Sequence, residues 1–106
     1  MNKKNERILE LAEKGCKAYE DYDPAALLEK AGACREGGIN PEYVLMLANE
    51  CCGKYEFYNP ERLLRKAIEC KNVGYDPVAV LEKAIRDKST DCEPVRILSE
   101  IIERER

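Results

Sequence analysis

Residues 16–48 read CKAYEDYDPAALLEKAGACREGGINPEYVLMLA, and residues 52–84 read CGKYEFYNPERLLRKAIECKNVGYDPVAVLEKA. At a shift of 36 residues, Cys16, Tyr19, Glu20, Tyr22, Pro24, Leu27, Leu28, Lys30, Ala31 and Cys34 recur as Cys52, Tyr55, Glu56, Tyr58, Pro60, Leu63, Leu64, Lys66, Ala67 and Cys70. Gly38, Pro41, Val44, Leu45 and Ala48 recur as Gly74, Pro77, Val80, Leu81 and Ala84. Self-similarity at this period, with two prolines and two apolar clusters per copy, marks a two-helix repeat.

The prolines place the helices. They stand at 24, 41, 60, 77 and 94, each preceded by Asp23, Asn40, Asn59, Asp76 or Glu93. Asp and Asn are strong N-cap residues, and proline suits the first helical position because its missing N–H would be unpaired there anyway. Three, four and seven residues after each proline come Leu27, Leu28 and Ala31; Val44, Leu45 and Ala48; Leu63, Leu64 and Ala67; Val80, Leu81 and Ala84; and Ile97, Leu98 and Ile101. This is the stripe of a short amphipathic helix. Ile8, Leu9 and Ala12 supply the same stripe before the first proline. Tyr22, Ile39, Tyr58, Tyr75 and Cys92 hold the position that staples hydrophobically onto the fourth helical residue. Gly15, Gly38, Gly53 and Gly74 lie where a left-handed C-cap wants glycine.

The expected fold is all-α: six short helices as three tandem helical hairpins of about 36 residues, forming a compact bundle or a short α-solenoid. The third copy drifts, its last helix starting two residues early. The 106 residues make one domain, 1–106. The start, Met-Asn-Lys-Lys-Asn-Glu-Arg, has no apolar signal-peptide core, and no run approaches a membrane span. The expected compartment is therefore the cytoplasm.

Eighteen basic against 21 acidic residues give a net charge of −3. That argues against direct nucleic-acid binding, which normally shows a basic excess. Histidine is absent, which removes Ser-His, Cys-His and His-metal chemistry. No phosphate-cradling or nucleophile-elbow motif occurs. The expectation is a chain that is not an enzyme.

Six cysteines invite a metal reading. In hairpins, the C-termini of helices one, three and five share a pole with the N-termini of two, four and six. Cys16, Cys51, Cys52 and Cys92 are thereby expected at one pole, and Cys34 and Cys70 at the other. Four thiolates can hold a structural Zn²⁺ tetrahedrally, although no C-x-x-C knuckle is present and adjacent Cys51 and Cys52 point about 100° apart on a helix. Cysteine is also a small, readily buried hydrophobe. Cys34 and Cys70 read as core thiols. For the other four, zinc ligand and packed thiol both stay open.

Candidate partner contacts are Tyr19, Glu20, Asp21, Tyr55, Glu56 and Phe57, in equivalent connections of the two copies. Tyrosine combines large contact area with a polar tip and is enriched at binding hot spots. Tyr22, Tyr58 and Tyr75 read as staples, and Tyr43 as partly exposed. Between residues 18 and 56, eight acids stand against Lys30, Arg35 and Lys54. Such local charge either attracts a basic surface or forms a solvated helix face.

With the Cys16, Cys51, Cys52 and Cys92 set and the acidic stretch from Glu20 to Glu56, the chain resembles small phage-encoded anti-CRISPR proteins acting on Cas9-type effectors. The resemblance spans the whole chain and rests on profile, since those proteins share no common motif. It implies inhibition by occupying a protein or nucleic-acid-binding surface, without turnover. Two other classes fit: a cysteine-based metal or redox sensor, and a generic helical repeat scaffold.

Overall fold

A computed structural model describes residues 3–15, 23–51, 59–87 and 93–105. They form six helices: α1 (Lys3–Gly15), α2 (Pro24–Glu36), α3 (Pro41–Cys51), α4 (Pro60–Asn72), α5 (Pro77–Arg86) and α6 (Pro94–Glu105). The all-helical expectation holds, and each proline opens a helix.

The caps form as the sequence dictates. The Asp23 and Asp76 carboxylates accept hydrogen bonds from the N–H groups of Ala25 and Val78, both at 3.0 Å. The Asn40 and Asn59 side-chain carbonyls accept from Tyr43 and Arg62, both at 3.2 Å. Each bond satisfies an amide that the first helical turn leaves unpaired. Pro41, Pro60 and Pro77 are also fully buried, so the initiating residue packs as well as caps.

The α2–α3 and α4–α5 turns are the same turn, 36 residues apart. Gly38 and Gly74 adopt φ of 82° and 99°. The Ile39 and Tyr75 amides donate to the carbonyls of Cys34 and Cys70 at 2.8 and 3.1 Å. The Gly38 and Gly74 amides donate to Arg35 and Lys71. This is the Schellman arrangement, which needs a left-handed residue and is often accompanied by an apolar contact across the turn. Ile39 supplies that contact against Cys34, both buried. Gly15, by contrast, is the last residue of α1, and Gly53 lies outside the described residues.

The helices pack most extensively on their second neighbours. One row is α1, α3 and α5; the other is α2, α4 and α6. The two rows face each other across one core, in which Ile8, Leu27, Leu45, Leu63, Leu64, Leu81, Leu98 and Ile102 are fully buried. The Cα radius of gyration is 12.7 Å, close to the ~13 Å expected of a compact domain this long. Three contacts fix the direction of the rows. Lys71, at the end of α4, lies over Gly38 in the α2–α3 turn. The Tyr75 hydroxyl, in the α4–α5 turn, donates to Glu105 at the end of α6 (2.8 Å). Lys4, near the start of α1, lines a polar cleft with Gly38, Asn40 and Pro41. One pole therefore gathers the N-termini of α1, α3 and α5 with the C-termini of α2, α4 and α6.

Two expectations need correction. The core stripe moves in the last helix: Val95, Leu98 and Ile102 are buried, whereas Ile97 and Ile101 are only half-buried. In α5, Val80 and Ala84 are likewise half-buried. The described residues flank α5 and α6 with a row neighbour on one side only, so the other flank stays open. Tyr75, read as a buried staple, is 40% exposed. Its hydroxyl bond to Glu105 holds the ring at the surface. Leu11 and Leu47 are buried beyond the expected stripe, on flanks closed by the next helix of the row.

Replacing Gly74 with Ala should destabilise the fold by about 1 kcal/mol, the cost of a β-carbon in left-handed backbone. Gly38→Ala should cost a similar amount, since the new β-carbon meets only the mobile end of Lys71 (2.9 Å to Nζ). Urea titration should show a lower midpoint at unchanged slope for both.

Candidate functional site

The sequence-derived contact residues Tyr19, Glu20, Asp21, Tyr55, Glu56 and Phe57 lie outside the described residues, as do Cys16, Cys52 and Cys92. Cys51 closes α3, with its side chain outside the described set. Among the described residues, no group of three or more His, Cys, Asp or Glu side chains could hold a metal ion. The described neighbours of the four cysteines do share a pole: Gly15 ends α1, Cys51 ends α3 and Pro94 starts α6.

Cys34 and Cys70 are core thiols. Both are free and fully buried. The Cys34 thiol donates to the Leu64 carbonyl of α4 at 3.8 Å, a weak bond between row neighbours. Burial pushes the Cys34 pKa up to about 11, against the smaller opposing pull of Arg35 and Lys30. Burial also raises the Cys70 pKa, and nearby Asp76 adds to the rise. A neutral thiol without water access is a poor nucleophile and a poor ligand.

Tyr43 is 40% exposed, as its place in the first turn of α3 implies. A hydrogen bond to Glu82 of α5, and the charge of that carboxylate, raise its phenol pKa. At the opposite flank of α5 lies an apolar surface groove. With a volume of about 510 Å³, it runs between α5 and α6, lined by Tyr75, Ala79, Val80, Ala84, Ile97 and Ile101, with Lys83, Asp87 and Arg104 beside them. Its floor is aliphatic, its Tyr75 wall carries a polar tip, and its charged residues are two cations and one anion. A polar cleft of about 480 Å³ lies at the α2–α3 turn, where Arg35 faces Glu42 at 3.8 Å.

Periodicity alone missed this groove, because it assigned Val80, Ala84, Ile97 and Ile101 to the core face. A signal was nonetheless present. Lys83 stands where the preceding copy has buried Leu47, and Arg104 takes the position held by Cys34 and Cys70, ten residues after the proline. A basic side chain replacing a buried apolar one marks a flank that the next helix does not cover.

No family model, curated protein or solved structure matches the chain. No helix among the described residues is long and apolar enough to cross a membrane.

The buried thiols give a pH dependence of definite sign. Cys34 has a folded pKa above its unfolded value, so its contribution is complete below the unfolded pKa of about 9 and is lost as pH rises toward about 11. Urea midpoints should fall over that alkaline window. At neutral pH, alkylation with peptide mapping should modify Cys34 and Cys70 only at the rate of unfolding.

Proposed function

We propose that this chain is a non-enzymatic protein-binding module whose contact surface is the α5–α6 groove. The observation that carries this reading is an open apolar floor of Val80, Ile97 and Ile101 edged by Lys83 and Arg104. Aliphatic anchors receive a partner's apolar side chains, and the two cations favour a partner with acids beside those anchors. An amphipathic helix fits this description, since it lays its anchors into a groove at helical spacing. Sealing of both described thiols in the core supports a reading without turnover.

The narrower form of the proposal is an inhibitor that occupies a surface of a Cas9-type nucleoprotein. It draws on the acidic character of the first half, to which exposed Glu29, Glu36 and Glu50 contribute. A structural Zn²⁺ held by Cys16, Cys51, Cys52 and Cys92 belongs to the same proposal. What supports it is that Gly15, Cys51 and Pro94 mark helix ends gathered at one pole. Elemental analysis should find about one zinc per chain, and chelation should lower the melting temperature, because metal binding at such a site is folding energy. Metal-free protein with an unchanged melting temperature removes zinc from the proposal.

The groove itself is tested by cross-linking in the source cell, comparing wild type with Ile97→Glu/Ile101→Glu. Both positions are only half-buried, and circular dichroism should show the variant helical. Partner cross-links through α5 and α6 should be lost at least tenfold in the variant. A guide-loaded and a guide-free nuclease serve as defined baits in the same comparison. Equal cross-linking of wild type and folded variant would assign the contact surface elsewhere.

A further inference from the structure

We propose that the α5–α6 groove receives the α1–α2 face of a second copy of this chain, so that copies stack head to tail and continue both rows of helices across the junction. The inference rests on the groove being a docking surface and names its occupant.

The groove repeats the internal seam of the fold. Val44, Leu47 and Ala48 of α3 are buried, and one copy later the same positions are Val80, Lys83 and Ala84, which line the groove. In the other row, Leu27 and Ala31 of α2 and Leu63 and Ala67 of α4 are fully buried. Their counterparts in α6, Ile97 and Ile101, lie open in the groove. A surface built from seam positions calls for what covers them internally, which is the leading flank of a following hairpin.

The α1–α2 face is such a flank. The Asn49 amide donates to the Leu11 carbonyl (3.1 Å), which turns the Leu45 and Asn49 flank of α3 toward α1. The equivalent flank of α1 is Leu9 and Glu13, joined by Glu6 one turn earlier; both acids are exposed and Leu9 is half-buried. The Cys34 bond to the Leu64 carbonyl likewise turns the Leu64 flank of α4 toward α2. On α2 that flank is Pro24 and Leu28. Pro60 and Leu64 are fully buried, whereas Pro24 is exposed and Leu28 half-buried. The leading flank is therefore open where the trailing flank is open.

Charge selects the pairing. In the continued stack, Lys83 takes the place of Leu47 and faces the α1 flank that carries Glu6 and Glu13. Packing groove against groove would set the Lys83 and Arg104 of one copy against those of the other, a like-charge arrangement that penalises association. A head-to-tail contact is heterologous and does not close on itself at two copies.

Sedimentation equilibrium of the full chain over a wide concentration range tests the proposal. Wild type should grow past the dimer with concentration, and 0.5 M salt should weaken the growth, since the Lys83 pairing is screened. Ile101→Glu and Leu28→Glu should each be monomeric alone and form a 1:1 dimer, and nothing larger, when mixed. As a pair on exposed positions that leaves folding undisturbed, Lys83→Glu should weaken association about tenfold, and Lys83→Glu/Glu13→Lys should restore it. Wild type that stays monomeric up to millimolar concentration overturns the proposal. So does a monomeric mixture of the two blocked variants, or a charge swap without rescue. If wild type is monomeric yet Ile101→Glu removes its cross-links to another protein, self-stacking fails while the docking surface stands. If Ile101→Glu changes neither readout, both fail.

Discussion

Each helix here has only ten to thirteen residues, too short to be stable alone in water. Its stability comes from burying apolar flanks, and in this fold the covering surface is the next helix of the same row. That requirement orders the rest of the structure. It places α3 and α4 between neighbours on both sides, which is why Val44, Leu45, Leu47 and Ala48 all disappear from solvent. Among the described residues it leaves α5 and α6 with one closed flank and one open flank. The groove and the displaced stripe of α6 are both consequences of the same missing cover.

Much of this was legible in the sequence because local rules and the repeat agreed. Asp23, Asn40, Asn59 and Asp76 cap helices as their chemistry requires, and Gly38 and Gly74 take the left-handed conformation that the turn demands. The burial of Cys34 and Cys70 also followed from their place on the apolar stripe. Tyr75 did not follow: its partner Glu105 lies 30 residues away, and position next to a helix start carries no information about so distant an acceptor. The groove escaped for a related reason. Periodicity reports which flank of a helix is apolar, but whether that flank is covered depends on how many helices stand in the row.

The residues singled out by their chemistry and the groove seen in the packing were legible in different ways. In sequence, Cys16, Cys52, Cys92 and the tyrosine-acid pairs fall between the helices and Cys51 ends α3, and chemical type was their only guide. The groove is built from ordinary aliphatic residues, informative only by comparison with earlier copies. Lys83 against Leu47, and Arg104 against Cys34 and Cys70, are substitutions that a single-helix reading treats as surface charge.

The two Schellman turns also set where the chain tolerates changes of length. The turn between buried Cys34 and buried Ile39 closes through a fixed number of residues, with a hydrogen bond directly between those two. One inserted residue would turn α3 by about 100° about its axis and carry Val44 and Leu45 away from the opposing row. Grafted peptides, tags or extra loop length are therefore unsuited to residues 37–40 and 73–76.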